Sequence, residues 1–183
     1  MGLKFILLLL MLLHMTDGWS ESNTPFKNFW DDAKARVKQI SYSEHGDLYV
    51  PFYAWHNRLY YDSDKISCYN EFPWGTGFGK SIWDERGNWQ GLYAMVFLDS
   101  HKDVQPMAGY GYLLTAHPTE NSGVGLGFTL MMTARSDIMN YTPFPGILPL
   151  ASIYYKNVMV LGAYVPGTRN IGNVLFLMTK ITI

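Results

Sequence analysis

The sequence predicts an all-β protein: an eight-stranded antiparallel transmembrane β-barrel preceded by an N-terminal amphipathic α-helix. Three observations predict it. From Asp47 onward, turn signals recur at regular intervals, and short and long connections alternate. Outer-membrane barrels alternate in this way, with tight turns at one end and long loops at the other. Charged residues make up 16% of the 183-residue chain and aromatic residues another 16%. That charge content lies below the roughly 25% of soluble domains. Finally, no apolar run after Ser20 approaches the ~20 residues of a membrane-spanning helix. Any crossing of a bilayer would therefore use strands. Strand spacing alone also fits a lipocalin-like barrel or a sandwich.

Residues 1–20 read as a signal peptide. Lys4 supplies the positive start, Phe5 to Leu13 is an unbroken apolar stretch, and Gly18-Trp19-Ser20 offers small residues for cleavage. The apolar stretch is too short to span a hydrocarbon core. Residues 21–183 then form a single domain, with a helix at about 25–40 and a barrel at about 47–183. Thr24 is placed to cap the helix and Pro25 to begin it. Phe26, Phe29, Trp30, Ala33, Val37 and Ile40 fall on one face. Such a face fits a helix packed on a protein core, and equally one lying at a membrane interface.

Eight strands follow, at 47–60, 76–84, 88–98, 108–117, 122–134, 146–155, 158–165 and 172–182. The roughly 140 residues left for a barrel, at ~10 residues per strand, exclude a wide sixteen-stranded pore. Eight strands enclose packed side chains or one small ligand. In 123–133, Val124, Leu126, Phe128, Leu130 and Met132 share the face suited to lipid. Gly123, Gly125, Gly127, Thr129, Met131 and Thr133 share the other. In 89–98 both faces are apolar, which fits either a dry pocket for a greasy ligand or a packed core. Trp55, Trp74, Trp83 and Trp89 fall near strand ends, where an interface girdle belongs. Pro51, Pro149 and Pro166 lie in or at the ends of strands, and Pro73 just before one. Proline supplies no ladder donor, so these positions predict gaps in the wall.

Several functions are excluded or left without support. Lys+Arg number 14 against 15 Asp+Glu, so no basic excess suits nucleic acid. The single cysteine, Cys68, permits no internal disulfide, and no metal-binding spacing appears. No cofactor motif is present either. His56, Asp99 and Ser100 remain. An even number of strand crossings brings them to one rim, and together they are ingredients of acyl transfer. Adjacent residues of an extended strand point apart. Asp99 and Ser100 can therefore both face His56 only if the chain bends there.

The motifs DLYVPFYAWHNRLYYD (47–62), YNEFPWGTGFG (69–79), WDERGNWQGLYAMVFLDS (83–100), MAGYGY (107–112), GLGFT (125–129), TAR (133–135), LPLAS (148–152) and VPGTRNIGNVLF (165–176) resemble the PagP family, the lipid A palmitoyltransferases of the Gram-negative outer membrane. The resemblance covers nearly the whole mature chain, in order. It implies a tilted eight-stranded barrel with an interfacial helix. It also implies movement of a palmitoyl chain from the sn-1 position of a glycerophospholipid donor to a lipid A acceptor, without a cofactor, by a monomer in the outer membrane. The family's required His, Asp and Ser fall on His56, Asp99 and Ser100. In such a site His56 would act as general base, Asp99 would orient the imidazole, and Ser100 would serve the oxyanion or act as nucleophile. The acyl-length floor falls on Gly111, the second glycine of AGYG. The lateral gates fall on Pro51 and Pro73 on one side and Pro149 and Pro166 on the other. His101 departs from the family, which commonly has an aromatic after the Ser. The rival readings are a non-catalytic structural barrel and a lipocalin-like lipid-binding protein.

Overall fold

A computed structural model describes residues 25–183, and the side chains from Asp31 onward. The expected signal peptide, and Thr24 as a cap, lie outside the described residues. Helix α1 spans Pro25–Ser41. The strands are β1 (Asp47–His56), β2 (Gly75–Trp83), β3 (Trp89–Leu98), β4 (Val104–Thr119), β5 (Ser122–Thr133), β6 (Phe144–Tyr155), β7 (Val158–Val165) and β8 (Val174–Thr182). Each pairs with its sequence neighbours, and β1 pairs with β8, so the eight strands close into one antiparallel barrel. Closure removes the free sheet edges that an open sheet would present. Among the described residues, no helix is long and apolar enough to cross a membrane.

Two strand boundaries differ most from the sequence reading. β1 stops at His56, not residue 60, because the chain turns there: Asn57 accepts hydrogen bonds from the Tyr60 and Tyr61 amides. β4 begins at Val104, not residue 108, because Val104 to Met107 pair with Leu98 to Met95 of β3. Pro106 sits in that extension, and its carbonyl accepts the Ala134 amide. The expected long connection 99–107 thus shrinks to 99–103. A short helix, α2 (Ser63–Cys68), and a 3-10 turn (Met139–Tyr141) occupy two outer loops that the sequence reading left unstructured.

Tight turns close one end of the barrel. In the β2–β3 turn, Asp84 Oδ1 accepts the amides of Arg86 and Asn88 at 2.9 and 2.8 Å. Gly87 takes the positive φ of 77° that this turn needs. The opposite end carries the longer loops and forms the mouth.

The exterior is apolar: Phe78, Leu126, Leu130, Ile147 and Ile153 are all exposed. The β5 alternation follows the sequence, with Val124, Leu126 and Leu130 outward and Gly123, Gly125, Thr129 and Thr133 buried. The lumen is filled unevenly. Toward the tight-turn end, Tyr49, Trp89, Leu113, Met159 and Leu161 are fully buried and form a plug. Trp89 therefore does not belong to the exterior girdle that the sequence suggested. Its indole lies inside, across Gly91 and Gly111. A Cβ at those glycines would stand 2.5 and 2.9 Å from the indole. Beside it, Lys180 Nζ pairs with Asp47 Oδ1 at 2.8 Å, both side chains being almost wholly buried.

Two seams of the wall are open toward the mouth. β1 and β2 pair only from Asp47↔Gly79 to Tyr49↔Gly77. Beyond Val50 the β1 ladder continues with β8 alone, with an irregularity between Pro51 and Tyr53. β6 pairs with β5 along its full length, but with β7 only over Leu150–Tyr155. Pro51 and Pro73 border the first open seam, and Pro149 and Pro166 the second. The missing donor of each proline is a physical reason for the ladder to end near it.

Candidate active site

Above the plug the lumen opens into a cavity of about 500 Å³ that reaches the mouth. The lowest lining residues on their strands are Tyr93, Thr129, Leu148, Ala163 and Met178. Tyr93 and Thr129 share a hydroxyl–hydroxyl hydrogen bond of 2.7 Å across this floor. Phe97, Met107, Met131 and Phe176 line the wall above. Pocket and packed core are therefore both present, at different depths. Gly111 does not line the cavity. It lies beneath it, against the Trp89 indole.

The polar groups gather at the mouth. His56 ends β1 and is 1% exposed. Its Nε2 lies 3.1 Å from Ser100 Oγ. The ring stacks on Tyr69, with centroids 4.9 Å apart, and meets the edge of Tyr61 at 5.2 Å. These rings hold the imidazole against rotation. Ser100 reaches His56 because the chain turns directly after β3. Asp99 and Asp103 pair through their backbones, and Lys102 takes a positive φ of 67°.

Asp99 does not touch His56. Its Oδ1 accepts the amides of His101 and Asp103 at 2.8 and 2.9 Å, so the carboxylate braces the turn that presents Ser100. Its Oδ2 faces Arg135 at 3.5 Å. Asp99, His101 and Asp137 bring potential ligand atoms within 4.8 Å of one another. The Arg135 guanidinium already pairs with both carboxylates, so the group is an ion-pair cluster. That pairing, first through the Arg135 hydrogen bond, holds the Asp137 carboxyl below its ordinary range.

The acid that does reach the imidazole is Glu71, in the β1–β2 loop. Its Oε1 lies 3.2 Å from His56 Nδ1 and also 3.2 Å from the His56 amide. Arg58 grips the same carboxylate, with Nη1 and Nη2 at 2.5 and 2.7 Å from its two oxygens. The Arg58 hydrogen bond, partly opposed by burial, holds Glu71 down at about 2. The sequence reading missed Glu71, Arg58 and Tyr69. All three stand in the motifs WHNR and YNEFPW, and that position was the only signal available for them.

The structure thus brings His56 and Ser100 together, sets Asp99 behind Ser100, and places all three on the wall of one cavity. It sets Gly111 below that cavity and the four prolines beside the open seams. A closed barrel with an apolar exterior, a blind apolar lumen and a His–Ser pair at its mouth defines a class. It is a barrel built to handle one aliphatic chain beside a proton-accepting base.

Comparison with known proteins narrows the class. Residues 36–180 match the family described as antimicrobial peptide resistance and lipid A acylation protein PagP, and the chain belongs to that family. A lipid A acyltransferase PagP of Bordetella bronchiseptica is 48% identical over 180 residues, covering 98% of this chain and 95% of its own. The Bordetella pertussis protein of that name is 51% identical over 145 residues, covering 79% and 80%. That of Legionella pneumophila is 47% identical over 148 residues, covering 81% and 79%.

Proposed function

We propose that this chain is an outer-membrane lipid A acyltransferase that moves a palmitoyl chain from the sn-1 position of a glycerophospholipid to lipid A. The observation that carries the reading is the blind apolar cavity ending at the His56–Ser100 pair. Its family membership supports the same acceptor. The signal peptide at 1–20 directs export, helix α1 lies at the membrane interface, and the barrel works as a monomer.

The acyl chain fills the lumen from the mouth downward, with its carbonyl left at the rim. His56 Nε2 takes the proton of the attacking hydroxyl, either that of lipid A or that of Ser100 if an acyl-enzyme forms. The ester carbon–oxygen bond to glycerol breaks, and the proton on His56 passes to the leaving glycerol oxygen; an acyl group held on Ser100 then passes to a lipid A hydroxyl, whose proton returns through His56 to the Ser100 oxygen. Where it does not attack, Ser100 donates its O–H to the developing oxyanion. Asp99 acts through the Ser100 turn. The open seams at Pro51/Pro73 and Pro149/Pro166 admit lipid sideways, and Gly111 with Trp89 sets the acyl depth.

Mass spectrometry of lipid A from cells with and without the gene tests the activity. A gain of one palmitoyl mass is expected. His56→Ala should abolish it while the barrel still folds. No gain, with the protein in the outer membrane, would favour the structural barrel. Recovery in a soluble fraction would favour a lipid carrier.

A further inference from the structure

We propose that Glu71 is a positioning residue whose carboxylate fixes His56 as the Nδ1–H tautomer and so directs the Nε2 lone pair at Ser100. The inference rests on the acyl-transfer reading above.

Three observations carry it. Glu71 Oε1 is 3.2 Å from His56 Nδ1, while Nε2 is 3.1 Å from Ser100 Oγ, so each ring nitrogen has its own partner. Oε1 also accepts the His56 backbone amide, which ties the carboxylate to the residue it serves. Arg58 clamps both carboxylate oxygens and reaches the His56 carbonyl at 2.6 Å. An ionised carboxylate has no proton to donate. Nδ1 must therefore be the donor toward Glu71, which leaves Nε2 as the acceptor. Among the described residues no other carboxylate reaches the ring: Asp99 spends Oδ1 on two backbone amides and turns Oδ2 toward Arg135.

During transfer, Nε2 accepts the proton of the attacking hydroxyl, and the ring becomes an imidazolium between the oxygen it has deprotonated and Glu71. The negative carboxylate stabilises that cation and stays ionised. The proton then leaves from Nε2 to the departing glycerol oxygen. Glu71 never contacts the lipid. Its removal should change the chemical step and leave lipid binding intact. The division of labour is that of a serine–histidine–acid triad, in which the acid orients the base.

The test uses the full barrel in detergent micelles, with a phospholipid donor and lipid A acceptor. Glu71→Gln should lower kcat by about 10³-fold or more, the scale seen when such an acid becomes an amide. KM should stay within about threefold, because Glu71 does not touch the lipid and its attraction for the imidazolium arises only in the chemical step. Glu71→Asp should restore part of kcat. Nitrogen-15 spectra of labelled histidine, assigned with His56→Ala, should show the Nδ1–H form in the wild type. Glu71→Gln should lose that form and Asp99→Asn should keep it. A wild-type His56 in the Nε2–H form would overturn the proposal. So would a folded Glu71→Gln variant that keeps kcat within about threefold of wild type. If the wild type transfers no acyl chain, the function reading fails, and the nitrogen spectra still decide the Glu71 contact. If Glu71→Gln does not fold, the wild-type spectrum and Glu71→Asp decide it.

Discussion

Gly111 and Trp89 form one device at the scale of the residue. The absent side chain at Gly111 leaves room for the indole, and the indole caps the plug. A methionine at Gly111 adds volume directly beneath the cavity floor, where a Cβ would already stand 2.9 Å from the Trp89 ring, so the plug has to rearrange. Gly111→Met should therefore select a shorter acyl chain, read as a smaller mass added to lipid A. Unchanged chain length would remove Gly111 from the account of depth. The Lys180–Asp47 pair gives a second residue-scale expectation. Both groups are buried within the lumen. Lys180→Met leaves the Asp47 carboxylate without its counter-charge, with only the Thr182 hydroxyl still donating to it, and should cost about 3–5 kcal/mol, measured by urea unfolding in vesicles. Replacing both with apolar residues should cost far less.

Glu71 carries a pH dependence whose sign follows from its carboxyl being held at about 2, against 4.5 for a free side chain. A depressed value means that the contact stabilises the charged form. Its contribution is complete above 4.5, wanes as the pH falls, and is lost through about 2. Carbon-13 spectra of the Glu71 carboxyl should show no titration step between pH 7 and 4. A midpoint near 4.5 would show that the Arg58 clamp does not hold in solution.

At the scale of the element, the ladders decide where the wall can open. β4 and β5 pair from Met107↔Thr133 down to Thr119↔Ser122. The mouthward part of β6, residues 144–149, lacks a β7 partner, and β1 beyond Val50 lacks a β2 ladder. Amide hydrogen exchange should therefore be slow along β4–β5 and faster on the open side of β6, and on that of β1 short of Ala54, whose amide, like that of His56, is bonded to Glu71. Equal protection in all four strands would count against the seams as lipid passages.

The strand order was legible in the sequence because turn chemistry and alternation are local. Glu85-Arg86-Gly87-Asn88 and Lys156-Asn157 mark turns on their own, and the β5 alternation names its two faces. The four prolines marked the seams for the same reason. The site was legible only in part. Crossing parity brought His56 near Ser100, yet nothing local revealed that Asp99 would brace its own turn. Glu71 reaches His56 from 15 residues away through an irregular loop, a contact that no periodicity encodes. Trp89 looked like a girdle residue because it starts a strand. Its inward direction depends on Gly91 and Gly111 lying opposite.

At the scale of the whole barrel, the strands are latched at their own closure. The first outer loop ties to the last, across the β1–β8 seam. Arg169 and Asn170 hold the Asp62 carboxylate, and the Tyr61 hydroxyl donates to the Gly172 carbonyl at 2.6 Å. The plug then has an electrical consequence. A lumen occupied by Tyr49, Trp89, Leu113, Met159 and Leu161 offers ions no continuous water path. Reconstituted in a planar bilayer, the barrel should insulate, passing no steady current at voltages where a porin conducts. In the membrane that the proposed function assigns to it, even many copies of the barrel would open no leak.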